Sequence, residues 1–206
     1  MKQLQSALSG LVVIVIGVLL ALAGEAAWAE RGERAREQEI LADLLEEFRE
    51  NEARLLTDME TNRQARAAAD IWVQVVFGET SVPPDSLFAL ADAAQGDARF
   101  DPVTGALRSL VDGGELGVIR NDELRRALAG WSDRVEEARM TAASYDNLRS
   151  NLSPLIYSLN PGEPIGPGPG TAVEMAAAAS GRHNFQLTAL AERIGEIIAL
   201  VESEME

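Results

Sequence analysis

The chain contains no cysteine and only one histidine, His183. Without cysteine there are no disulfides, no thiol nucleophile and no cysteine-based structural zinc site. With one histidine, any Ser-His-Asp triad or histidine metal site would have to be assembled around His183. Aromatic residues are sparse, at 5%, and basic residues are outnumbered, with 18 Lys and Arg against 33 Asp and Glu. The resulting net charge of −15 repels a phosphate backbone, so nucleic acid is not an expected partner. Period-two alternation is also absent, and with it any expectation of sheet. What is present is a 47% hydrophobic share spread over 206 residues and dominated by Ala, Leu, Val and Ile. That composition favours helix. The expected fold class is all-α.

The stretch SGLVVIVIGVLLALAGEAAWAERGERAR covers residues 9–36, and Gln3 to Gly24 is free of charge over 22 positions. About 20 apolar residues span the hydrocarbon core of a bilayer. The small-x-small pattern Ala27-Trp28-Ala29 admits a cleaved secretion signal instead. Glu25 in the would-be cleavage region, Trp28 at an interfacial position and an unbroken helical pattern beyond Ala29 favour an uncleaved anchor. We read residues 1–29 as a transmembrane anchor, with 4–24 in the bilayer. Arg31, Arg34 and Arg36 pull the C-terminal flank toward the cytoplasm, while the signal-like start argues the reverse. The expectation is N-terminus in and domain outside, in a plasma membrane. Ser6, Gly10, Gly17, Ala21 and Gly24 share one stripe, and small residues let membrane helices approach closely. That stripe is a candidate homo-oligomer contact, set against the general abundance of Gly in membrane helices.

Residues 30–206 read as a helical-bundle domain. A long helix is expected over 30–78, with Leu41, Leu44, Phe48, Leu55, Met59, Val73 and Val76 as its apolar stripe. A break near Gly24 or Gly32 is allowed. Asn51 and Asn62 fall on the same stripe, where a buried Asn would fix register and a solvated Asn is the commoner case. Residues 25–60 hold twelve acidic and five basic residues, read as a solvated face. A helical core is expected over 84–159. Within it, Asp101-Pro102 reads as a cap and first helical position, Leu107, Leu110 and Val111 as an apolar face, and Gly113-Gly114 as a stop. Asn121 reads as the cap of one helix carrying Leu124, Leu128, Trp131 and Val135, running to about residue 151 or, bent at Pro154, to 159. NPGEPIGPGPG reads as a Pro/Gly loop over 160–170. The last helix is placed at 181–204, after a break at Ser180-Gly181.

The sequences GVLLALAGEAAWAERGERAREQEILADLLEEFREN and GALRSLVDGGELGVIRNDELRRALAGW resemble a family of uncharacterised bacterial single-pass membrane proteins, a domain of unknown function. The residues that carry the resemblance are Trp28, Arg31, Arg34, Glu37, Leu41, Leu44 and Asn51, then Ala106, Leu107, Leu110, Gly114, Leu116, Ile119, Asn121, Leu124, Arg125, Leu128 and Trp131. The resemblance implies a membrane helix followed by an all-helical domain, and it implies no activity. The Pro/Gly stretch departs from the pattern.

No catalytic, cofactor-binding or metal-ligating residue is assigned. His183, in SGRHNF, reads as a surface or capping histidine. Glu25 is expected in the headgroup region rather than as a working intramembrane carboxylate. Arg125 and Arg126 are expected to pair with neighbouring acids rather than hold an anion. Trp72 and Trp131 read as core anchors. Gly113-Gly114 lacks the Lys-Ser/Thr of a phosphate loop. Two functions are consistent with this reading. One is a non-enzymatic, membrane-anchored scaffold or interaction protein. The other is a sensor-like helical domain that binds a small ligand and works through a partner protein.

Overall fold

The structure, a computed structural model, describes residues 2–94, 99–157 and 167–206. Every regular element is helical: α1 (Lys2–Val76), α2 (Pro84–Ala93), α3 (Gly105–Asp112), a 3-10 turn (Glu115–Val118), α4 (Asp122–Ala129), α5 (Trp131–Tyr157) and α6 (Pro167–Met205). Side chains of residues 2–15, of Val76, expected on the α1 stripe, and of scattered positions in α2, α5 and α6, are outside the description.

Helix α1 continues through Gly24 and Gly32 without a break. Among the described residues, nothing lies within 4 Å of a Cβ built at Gly17, Gly24 or Gly32. The helix ends at Gly78, whose φ of 75° lies in the left-handed region. Glu79 N–H donates to Gln74 O and Gly78 N–H to Val75 O, the paired bonds of a Schellman stop.

Beyond α1 the chain folds as an up-down-up-down bundle. Val103, Ala106 and Glu115 bond in turn to Asn51, Glu47 and Arg36, so the chain descends along α1 as its numbering rises. Helices α4 and α5 then climb beside α1, since Arg120 meets Glu37 and Trp131 packs on Phe48. Helix α6 runs back down, with Tyr145 stacked on His183, Gln186 bonded to Glu137 and Asn121 bonded to Glu204.

The core gathers Leu41, Leu44, Phe48 and Leu55 of α1, Leu107 and Leu110 of α3, Leu124 and Leu128 of α4, and Leu187, Leu190, Ile194, Ile197 and Val201 of α6. Leu41, Leu44, Phe48, Asn51 and Leu55 of α1, and Leu187, Leu190, Ile194, Ile197 and Val201 of α6, repeat at alternating three- and four-residue steps, the seam spacing of coiled-coil packing. Trp131 is 1% exposed and meets Phe48 edge-on at 5.3 Å. Trp72 is also buried. Both were expected as core anchors.

Several expectations are corrected. The helix expected from Asn121 is two helices divided at Gly130. Thr104, not Asp101, is the N-cap residue of α3, and its side chain makes no capping bond. Val111 faces solvent, whereas Leu107 and Leu110 are buried. Helix α6 starts at Pro167 and passes through Ser180-Gly181, so only 160–166 of the expected loop falls outside the described residues. Proline at a first helical position loses no intrahelical bond, so a Pro/Gly run does not by itself exclude a helix start.

Candidate functional site

Two groups of polar side chains stand out, one inside the bundle and one on the α5/α6 seam. Glu37, Glu47 and Asn51 project from α1 into the bundle at 5%, 6% and 0% exposure. Glu47 accepts from Ala106 N at 2.6 Å and Leu107 N at 3.2 Å, and so caps α3 from a neighbouring helix. This fills the role left vacant by Thr104, because the first N–H groups of a helix have no intrahelical acceptor. Burial pushes the Glu47 carboxyl above its ordinary range, against the pull of those two N–H groups. Asn51 grips Val103 on both sides: Nδ2 donates to the carbonyl at 2.8 Å, and Oδ1 accepts from the N–H at 2.7 Å. Glu37 accepts from Arg120 N at 2.6 Å and lies 3.3 Å from its guanidinium. Asn62 is buried as well, but its Nδ2 has no hydrogen-bond partner among the described residues.

Asn121 caps α4 as expected, accepting from Glu123 N and Leu124 N, and its amide also donates to Glu204 of α6. Arg125 pairs with Asp122 and donates to the carbonyls of Ile119 and Arg120. Arg126 donates to Asp122 O. Arg125 thus serves the turn before α4, and Arg126 the first turn of α4 itself.

His183 overturns its expectation. It is 3% exposed, and its ring stacks on Tyr145 with centroids 5.7 Å apart and planes 6° from parallel. The stack bridges α5 and α6, with a cleft to each side. One, about 330 Å³, is lined by Arg99, Asp101, Arg139 and Asp146 over Phe100 and Leu187. The other, about 310 Å³, is lined by Met140, Leu148, Ala179 and Arg182.

The N-terminal part of α1 packs on nothing described. Ile16, Val18, Leu19, Leu20 and Leu22 are 51–68% exposed, and Trp28 is 76% exposed. Among the described residues, no helix is long and apolar enough to cross a membrane. The expected span over 4–24 and the stripe positions Ser6 and Gly10 fall partly on side chains outside that description. Among the described residues, no cluster of three or more His, Cys, Asp or Glu side chains is arranged to hold a metal ion.

Comparison of the chain with protein-family models, with curated proteins and with solved structures finds no match.

Proposed function

We propose that the protein is a non-enzymatic scaffold or interaction component, held at a bacterial plasma membrane by the N-terminal part of α1 with the bundle on the outer side. The observation that carries this reading is the uncovered run of Ile16, Val18, Leu19, Leu20 and Leu22 at the start of a chain whose other apolar residues mostly converge on one core. Water-exposed apolar surface of that kind marks a partner or a membrane. The uncharged stretch from Gln3 to Gly24 matches the length a bilayer requires, and Trp28 suits its edge. The resemblance to single-pass membrane proteins of unknown function points the same way. The buried carboxylates Glu37 and Glu47 are engaged by backbone N–H groups. They act as structural acceptors, which favours a non-enzymatic role.

Fractionation and intact-mass measurement test the anchor together. The expected result is a full-length chain that resists carbonate extraction from membranes, and a chain lacking residues 2–24 that appears in the soluble fraction. A mature chain starting at Glu30 in the soluble fraction would overturn the anchor.

A second reading, a ligand-binding domain working through a partner protein, is favoured by the charged cleft beside His183.

A further inference from the structure

Helix α6 carries two seams. One, from Leu187 to Val201, faces the core. The other faces away from it: Met175, Ala178, Arg182, Phe185, Ala189 and Glu192 follow at alternating three- and four-residue steps, and all but the half-buried Ala189 are exposed. That is again the spacing by which one helix packs along another. Phe185 is 71% exposed and Met175 48%. Single exposed apolar side chains are ordinary, but here two large ones share one line with alanines, which let a second helix come close. Two charges on the line are free. Arg182 and Glu192 make no ion pair and no side-chain hydrogen bond among the described residues, whereas Arg193 holds Glu196. Glu137 shares a hollow with Arg182, and Arg134 shares one with Glu192, but neither forms an ion pair there. Glu137 meets Gln186 instead.

We propose that this line is where a second copy of the chain docks, α6 against α6 and antiparallel. With the two-fold axis level with Leu187, Phe185 packs on the partner's Ala189 and Met175 covers the partner's Ala199, which is exposed on the same line. Arg182 meets the partner's Glu192. Symmetry makes each contact twice. Large thus meets small, and base meets acid. A parallel pair would instead set Arg182 against the partner's Arg182 and Glu192 against the partner's Glu192, and like charges in contact are costly. A foreign helix would have to bring its own acid and base in matching order, whereas this chain already carries both in the order that antiparallel self-pairing needs. Within the bundle α6 ends beside the start of the α1 wall, where Gln38 and Asn121 bond to Glu204. The two α1 rods therefore leave the dimer from opposite ends. For chains anchored as proposed above, the contact joins two facing bilayers, a consequence that rests on that anchor, while the pairing rests on α6 alone.

The test uses the full-length protein in detergent. The chain has no cysteine, so a spin label placed through Ala199→Cys reports a single distance. The expected result is a dimer by light scattering with its labels about 35–40 Å apart, from a rise of about 1.5 Å per residue on each side of the axis. Arg182→Glu alone, or Glu192→Arg alone, weakens the dimer at least about tenfold in sedimentation. The two together restore it to within about threefold. Circular dichroism stays that of the parent, since both residues are exposed. A monomer at concentrations up to about 0.1 mM would overturn the second copy and leave this line to a different protein. A label distance of about 10–15 Å would overturn the antiparallel order. A dimer indifferent to both reversals would overturn the α6 contact and move the interface elsewhere, the N-terminal stretch included. Each of these outcomes leaves carbonate extraction unchanged, so failure here and failure of the anchor are told apart.

Discussion

Asn51 and Asn62 are the same residue type on the same stripe of α1, yet their energetics have opposite signs. Asn51 satisfies both backbone groups of Val103, whereas the buried Nδ2 of Asn62 has no partner among the described residues. An unmatched buried polar group costs about 1–3 kcal/mol. Asn51→Leu should therefore destabilise the protein by at least about that amount, while Asn62→Leu should be neutral or stabilising by about 1 kcal/mol. Urea midpoints of the two variants, measured side by side, check the contrast. Glu47 adds a pH signature. Burial raises its carboxyl pKa in the folded chain, so the folded state holds this proton more tightly than the unfolded state. Its contribution to stability then falls as pH rises from the ordinary carboxylate range through the raised value. The stability difference between wild type and Glu47→Gln should shift against wild type between pH 4 and pH 7.5, as read by urea melts at both. Sequence alone gave Asn51 its place on the stripe but not its bonding, and it misplaced Glu47. In a run of acids every carboxylate reads as solvated, and only the descent of residues 103–107 beside α1 shows which one is covered. His183 carried a usable signal. Counting back from Val201 through Ile197, Ile194, Leu190 and Leu187 puts His183 and Ala179 on the same stripe, although its polar neighbours suggested a surface position.

At the scale of elements, ends were harder to read than interiors. The stripe of α1 followed from spacing at Leu41, Leu44, Phe48 and Leu55, but Val73 was placed on it where Trp72 and Val75 are buried instead, and Asn121 was recognisable as a cap because Asp122 and Glu123 follow it. The division at Gly130 was not visible. Leu124, Leu128, Trp131 and Val135 keep helical spacing across it, and Gly130 holds φ −85°, close to helical values. Gly114 differs, at φ 68°. It reverses the chain between α3 and the 3-10 turn, which delivers Ile119 to the core and Arg120 to Glu37. A side chain at a left-handed position costs about 1–2 kcal/mol. Gly114→Ala should lower stability by about that amount even though its Cβ would meet nothing within 4 Å, and a thermal melt detects it. A melt unchanged from wild type would show that this turn can relax.

At the scale of the whole molecule, the first buried residue of α1 among the described ones is Glu37. The described core of the bundle therefore lies in residues 36–206. A chain starting at Arg36 should give a strongly helical circular dichroism spectrum and one cooperative melt. In that background Trp131→Ala should remove about 3–5 kcal/mol, the usual cost of emptying a buried aromatic site. That is much of the roughly 5–15 kcal/mol that holds a domain together, and the chain should unfold or lose its cooperative transition. Wild-type stability in that variant would remove Trp131 from the core and place it on a binding face.

The length of α1 has a mechanical consequence. Its 75 residues form one helix of about 110 Å with no hinge from Lys2 to Val76, and the same helix supplies a wall of the bundle. A rod that is also part of the machine transmits torque. Turning the outer end by one residue's worth, about 100°, turns the faces bearing Glu37, Glu47 and Asn51 unless the rod twists. One alanine inserted near Gly32 would thus rephase the free end against the bundle. Seven inserted residues, almost two full turns, would bring it nearly back into phase.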